Sequence, residues 1–361
     1  MAGGALVKSI RIKSGGGDYN IKFFENIKDV SNTINQKNNF FIIDKYVYDN
    51  FKLVNKKFEK NIVSVLKPNE KIKTLDTVEK VASELVIKGA NRHSNIVGIG
   101  GGFVQDISQF TSHIYHRGTN LTLIPTTLLS MADSCMGGKC GINVSSFKNQ
   151  VGIFKSPKDI YIYKGFTKTL NKQLLIDGYG EILKLLITKN KSQTINFLEY
   201  LNTNKFDIDE VNKFIRLSLL SKKPVVEIDE YELNYRRILN YGHTFAHAIE
   251  SLSKNKLGHG HAVGFGLNLA NFISYKMGYL DKKIFYKIYN VSYKAFDFER
   301  IINNYKFSKK EFLKTFETDK KTEGNLTNFI LCKGYGELFI KKIKLDDKLA
   351  SFIHEFYELN V

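Results

Sequence analysis

The stretch Ile96-Val97-Gly98-Ile99 runs without a break into Gly100-Gly101-Gly102. A short apolar run closed by glycines reads as a buried strand that turns sharply into a helix. No other segment constrains the fold as much, because strand, glycine turn and helix make half of a βαβ unit. The first half of the chain repeats that rhythm. Phe40-Phe41-Ile42-Ile43 ends at Asp44, Leu121-Thr122-Leu123-Ile124 stops at Pro125, and Asp159 to Tyr163 forms a further apolar run. A helix is expected from about Thr74, with Val78, Val81, Leu85 and Val86 on one stripe and Gly89 as its stop. The pattern predicts a parallel sheet.

After about Phe166 the texture changes. Helical patterns dominate: Asp177 to Lys189, Asn212 to Ser221, Tyr241 to Leu252 and Ala262 to Met277. The expected architecture is an α/β N-terminal domain of nucleotide-binding type over residues 1–168 and an all-α C-terminal domain over 169–361. A cleft between the two is the default ligand site.

Composition narrows the function. Hydrophobic residues at 43% and charged residues at 25% suit a soluble globular protein. No apolar run is long enough to span a bilayer, and the first residues lack a secretory pattern. Cys135, Cys140 and Cys332 form no disulfide framework, which fits a reducing cytoplasm. The net charge is +18, but lysine recurs along the whole chain rather than in one basic block. Solvated faces account for that better than nucleic-acid binding, and a local cation cluster still suits a phosphate or carboxylate ligand.

Four of the eight histidines lie in Gly242-His243-Thr244-Phe245-Ala246-His247 and His259-Gly260-His261. His243 and His247, four apart, leave one helix face together. With His259 and a carboxylate they offer the donors a catalytic zinc accepts, three from protein and one position open. His261 is a surplus candidate, read here as structural or supporting. Glycine-rich Asp133 to Asn143, followed by Lys148-Asn149, reads as an anion cradle of amides and lysines. Glu181 and Lys184 are three apart on a helix, and Glu232, Arg236 and Asn240 repeat at the interval of a polar helix face. Taken alone, both patterns are those of solvated surfaces.

Together these segments resemble the sugar-phosphate cyclase family, and most of all its 3-dehydroquinate synthase branch. The resemblance runs from about Asp44 to Gly336. It is carried by Gly100-Gly101-Gly102 with Asp106, Tyr115-His116-Arg117-Gly118, Pro125 to Leu129, Asp133 to Asn149, Glu181 to Lys184, Asp229 to Glu232, Arg236, Asn240 to Glu250, His259-Gly260 and Asp319-Lys320-Lys321. It implies an NAD-binding domain, a helical domain holding zinc or cobalt, and a homodimer. It also implies cyclisation of 3-deoxy-D-arabino-heptulosonate 7-phosphate to 3-dehydroquinate, with loss of phosphate and NAD regenerated in each turnover.

Carried over residue by residue, the resemblance makes Glu181, His243 and His259 the metal ligands. His247 becomes a phosphate contact and proton-transfer residue instead. Lys139, Asn240, His247 and Lys320 or Lys321 would hold the phosphate, helped by Arg117 from a second subunit. Lys222 and Arg236 would grip a carboxylate. Asp133, Asn149, Lys184 and Glu232 would contact ring hydroxyls. The NAD positions would be Asp44, Glu70, Lys73, Gly101, Gly102, Phe103, Asp106, Thr126, Thr127, Leu129, Asp133 and Lys148. Gln105, His261, Ala246, Tyr46 and Phe154-Lys155-Ser156-Pro157 depart from the family pattern. The rival expectations are a sister cyclase acting on another sugar phosphate and an NAD- and metal-dependent polyol dehydrogenase.

Overall fold

A computed structural model describes residues 9–145, 147–254, 256–305, 311, 315, 322–323 and 326–359. The chain forms two compact units. One runs to Leu170 and includes Lys223–Tyr231; the other comprises Asn171–Lys222 and the chain from Glu232 onward.

The first unit is built on a seven-stranded sheet. Its strands are β1 (Ser9–Ile12), β2 (Tyr19–Phe24), β3 (Asn39–Asp44), β4 (Ile62–Leu66), β5 (Asn95–Gly100), β6 (Asn120–Pro125) and β9 (Asp159–Tyr163), in the order β1-β2-β9-β6-β5-β3-β4. All neighbours are parallel except β1 and β2. The central strands are apolar and buried on both faces, as a parallel sheet requires: Ile42, Val97, Ile99 and Ile124 have no exposed surface. From β3 the chain crosses to β4, whereas from β5 it crosses to β6 on the other side. The carboxyl ends of β3 and β5 therefore flank the point where the connections diverge, the place where such sheets bind ligands. Asp44 and Gly100 sit at those two ends.

Two details differ from the sequence reading. The helix α3 (Leu75–Ile87) is capped by Thr74 and buries Val78, Val81 and Leu85, but Val86 is 65% exposed. Adjacent residues sit about 100° apart around a helix, so Val86 turns away from the face that holds Leu85. The glycine-rich segment 133–143 is not one irregular loop: it leaves a five-residue π turn (Ser130–Ser134), turns through Gly137 and Gly138, and enters the antiparallel hairpin β7 (Lys139–Val144) and β8 (Phe147–Phe154).

The second unit is helical. It contains α5 (Lys172–Lys189), α6 (Lys191–Asn202), most of α7 (Ile208–Ile228), α8 (His243–Leu252), α9 (His259–Lys276), α10 (Lys282–Ala295) and a C-terminal helix, Asp347–Tyr357. It also carries a three-stranded antiparallel sheet, β10 (Thr322–Glu323), β11 (Leu326–Gly334) and β12 (Glu337–Lys344). Its core is aromatic: Phe265, Phe272, Phe285, Tyr289, Phe298 and Phe356 pack edge to face or offset around α9. No described helix is long and apolar enough to cross a membrane.

Candidate metal centre and dinucleotide cradle

In the second unit, glycines let the helices that carry the candidate ligands touch. A Cβ on Gly180 would lie 2.1 Å from the Gly260 carbonyl oxygen, and one on Gly260 would lie 1.8 Å from the Asp177 carbonyl oxygen. α5 and α9 therefore cross backbone to backbone. Gly266 does the same for α8 and α9, since its Cβ would meet the Gly242 oxygen at 2.4 Å and the Ala246 amide at 2.8 Å. Ala246, a departure in the sequence, is fully buried at that crossing. Gly242 has φ +78 and turns the chain into α8, so that His243 is the first residue of the helix.

These crossings bring Glu181, His243 and His259 together, with one donor atom of each inside 4.8 Å of the others. Nε2 of His259 lies 3.1 Å from Glu181 Oε1, and Nε2 of His243 lies 3.6 Å from the same oxygen. Tetrahedral ligands about 2.0–2.1 Å from a zinc ion are about 3.3 Å apart, close to both Glu181–histidine separations. His247, one turn along α8, is exposed and lies outside this trio.

Each histidine is held by its other nitrogen. Nδ1 of His243 faces the Tyr241 carbonyl at 3.3 Å, and Nδ1 of His259 faces Glu250 Oε1 at 3.1 Å. Such partners fix ring orientation at a metal site. The sequence reading gave Glu250 no role. The available signal was its spacing, seven residues after His243 and so on the same face of α8.

Electrostatics divide the two rings. Burial pushes His243 well below its usual range, reinforced by Lys184, His259 and His247. Burial also opposes charge on His259, but hydrogen bonds to Glu181 and Glu250 outweigh it and raise that ring to about 10. An arriving cation must displace this proton. Glu181 and Lys184 form an ion pair that is not on the surface, as their side chains are 2% and 4% exposed. Gly260→Ala should destabilise the unit by about 3 kcal/mol, because overpacking falls on rigid backbone. Denaturant unfolding would read this, and a wild-type midpoint would show that α5 and α9 can separate cheaply.

Of the other residues expected at the substrate, Lys222 and Arg236 are buried. Glu232, with φ +59, accepts from Asn240 Nδ2. Glu232, Arg236 and Asn240 do not share an α-helix face; the last two lie in a tight 3₁₀ turn, Tyr235–Asn240. Lys320 and Lys321 lie outside the described residues.

In the first unit, Gly101 caps α4 (Gly102–Ile114). A Cβ on Gly98 would strike the Ser108 side chain at 2.5 Å and one on Gly100 would strike Val104 at 2.6 Å, so these two serve helix–strand packing. Gly102 is different: a Cβ there meets nothing nearer than 3.8 Å. Asp44 caps α2 (Lys45–Asn50), accepting from the Tyr46 and Val47 amides at 2.8 and 3.2 Å, and its burial raises its pKa. Asp44 is thus a helix cap at the carboxyl end of β3. Tyr46 serves that cap through its backbone.

Lys73 bonds Asp106 at 3.0 Å, Glu70 at 3.1 Å and Asn149 Oδ1 at 2.6 Å. Burial works against its charge, but Asp106 and Glu70 raise its pKa. This network ties Asn149, expected at a ring hydroxyl, to three residues expected at NAD. Thr127 and Ser130 close a hydroxyl-bonded turn, and Thr126 donates its amide to the Gly100 carbonyl. Phe103, Leu129 and Asp133 are half-buried, while Lys139, Lys148 and Arg117 are exposed. Arg117 and His116 both have positive φ, at 64 and 48. Gln105 is buried and accepts from Ser134 at 3.0 Å. Phe154 packs edge-on against Tyr231, and Ser156 bonds Ser14 and Glu230.

The sequence profile of the 3-dehydroquinate synthase N-terminal family matches residues 63–177, and that of its C-terminal family matches residues 178–322. The chain belongs to the 3-dehydroquinate synthase family. The 3-dehydroquinate synthase of Clostridium tetani is 36% identical over 321 residues, covering 86% of this chain and 83% of that protein. The 3-dehydroquinate synthase of Dictyoglomus thermophilum is 36% identical over 323 residues, covering 88% of each. Among solved structures, 2-deoxy-scyllo-inosose synthase complexed with carbaglucose-6-phosphate, NAD+ and Co2+ superposes with a TM-score of 0.80 at 21% identity, over 97% of this chain and 99% of that one. At that identity the likeness shows the fold of the family.

Proposed function

We propose that the chain catalyses the reaction of its family, conversion of 3-deoxy-D-arabino-heptulosonate 7-phosphate to 3-dehydroquinate with loss of phosphate. The observation that carries this is the Glu181, His243 and His259 trio, set inside a chain that matches both halves of the family. When bound, a divalent ion supplies a Lewis acid at the substrate's C5 oxygen, and NAD supplies a two-electron acceptor that is restored within one turnover.

The chain's own groups then have separate work. Glu181, His243 and His259 hold the cation, and Glu250 keeps the His259 ring aimed. Lys139, Asn240 and His247 fix the phosphate, with Arg117 of the partner subunit in a homodimer. His247 manages a proton beside the leaving phosphate. Lys222 and Arg236 clamp the carboxylate, a task suited to Arg236's planar fork. Asp133, Asn149, Lys184 and Glu232 orient the ring hydroxyls. Fixing both anionic ends selects one reactive conformer of a flexible sugar.

The glycine turn and Asp44 hold the dinucleotide at the diverging strand ends. Open space over Gly102 is what a pyrophosphate needs to approach the helix amides. Gly102→Ala is therefore expected to leave the melting temperature unchanged while weakening NAD binding at least tenfold, about 1.4 kcal/mol. Equal affinity by calorimetry would remove the pyrophosphate from that turn. Substrate identity is tested by turnover of the heptulosonate phosphate against sugar phosphates without a carboxylate. Exclusive turnover of the latter would overturn the assignment and favour a sister cyclase.

A further inference from the structure

Three side chains on one face of α5, Gln173, Asp177 and Glu181, recur at four-residue intervals. All three face the first turn of α9. Glu181 meets His259 at 3.1 Å. One rung away, Nδ1 of His261 lies 2.7 Å from Gln173 Nε2 and 3.2 Å from Asp177 Oδ1, and the His261 backbone amide donates to the same Asp177 oxygen at 3.2 Å. His261 is 4% exposed. The rung stands whichever tautomer is present. If Nδ1 carries the proton it donates to Asp177, and the Gln173 amide presents its oxygen. If Nδ1 carries the lone pair it accepts from Gln173, and Asp177 is still held by the backbone amide.

We infer that His261 is a positioning residue for the metal centre: its bonds to Gln173 and Asp177 lock the first turn of α9 onto α5 and so set where His259 meets Glu181. This rests on the metal reading proposed above. Gly180 and Gly260 bring the two backbones into contact, but glycine contacts are smooth and leave the helices free to slide or roll. A directional hydrogen bond removes that freedom. His259 is the first helical residue of α9, two places from His261, so any roll of this turn moves its Nε2 directly. The effect falls on the assembled ligand set, not on a reacting atom.

The test is zinc affinity of the full-length protein, read by competition with a chromophoric chelator, for wild type, His261→Ala and His261→Asn. Asparagine carries its amide close to where Nδ1 lies. His261→Ala is expected to weaken zinc binding by about ten- to a hundredfold. His261→Asn is expected to recover most of that loss. At saturating zinc, kcat of both should stay within a few-fold of wild type. Wild-type affinity in His261→Ala, or no recovery in His261→Asn, would overturn the inference. Should His261→Ala fail to fold, Gln173→Ala and Asp177→Asn must each weaken zinc binding, and unchanged affinity in either would overturn it equally. A wild-type protein that takes up no zinc would instead contradict the metal reading beneath it.

Discussion

Stripping the divalent ion should abolish phosphate release, and adding zinc or cobalt back should restore it. The expected loss is on the order of a thousandfold or more, since a Lewis acid at a developing oxyanion contributes several kcal/mol. Protein groups are poorly placed to substitute. Without a cation, His259 turns Nε2 to Glu181 and Nδ1 to Glu250, each at 3.1 Å, while Lys184 pairs with the Glu181 carboxylate. The experiment is turnover of protein verified as metal-free by elemental analysis. Undiminished rates would remove Glu181, His243 and His259 from any catalytic account.

Lys139→Ala is the second large effect expected, a fall in kcat of about a hundred- to a thousandfold, with NAD affinity unchanged. Lys139 opens β7 directly after Gly137 and Gly138, whose φ values are 100 and 66. Gly138 is pressed against Lys155, where a Cβ would meet the carbonyl carbon at 3.1 Å. Lys155 donates its amide to the Gly138 carbonyl at 2.8 Å, and Gln109 Nε2 donates to both carbonyls. The base of the Lys139 side chain is therefore clamped while its length stays exposed. That suits a cation which must reach a leaving phosphate from a fixed origin. Stopped-flow phosphate detection would read kcat, and calorimetry would read NAD. Normal phosphate release in the variant would take Lys139 off the list of catalytic residues.

What the sequence made legible follows from which forces act locally. Strands β3, β5, β6 and β9 are continuous apolar runs bounded by glycine, proline or aspartate, so period and punctuation sufficed. The glycine turn after β5 was readable for the same reason. The hairpin at 139–154 was not, because Gly141, Asn143, Asn149 and Gly152 carry little strand propensity and its order comes from cross-strand pairing. β11 and β12 were not either, because a short apolar run such as 329–332 has no period that separates a buried strand from a buried helix.

At the site, the four-residue spacing of His243 and His247 pointed to a shared face but not to a shared ion. Glu181 replaces His247 beside the other two because α5 and α9 touch through Gly180 and Gly260, a contact 80 residues apart in the chain. His261 stayed unexplained for a like reason, since its partner Asp177 is 84 residues away. The alternating Glu232, Arg236 and Asn240 suggested a helix that a left-handed residue at 232 precludes.

The central claim is that this chain is a cyclase which borrows NAD rather than consuming it. It is tested most directly by supplying the heptulosonate phosphate with metal-loaded protein and NAD at a small fraction of the substrate concentration. Phosphate and 3-dehydroquinate are followed together with absorbance at the NADH maximum. The account predicts many equivalents of phosphate per NAD, matched by 3-dehydroquinate, with no net NADH. NADH formed mole for mole with substrate consumed, and no phosphate released, would contradict it and identify a dehydrogenase.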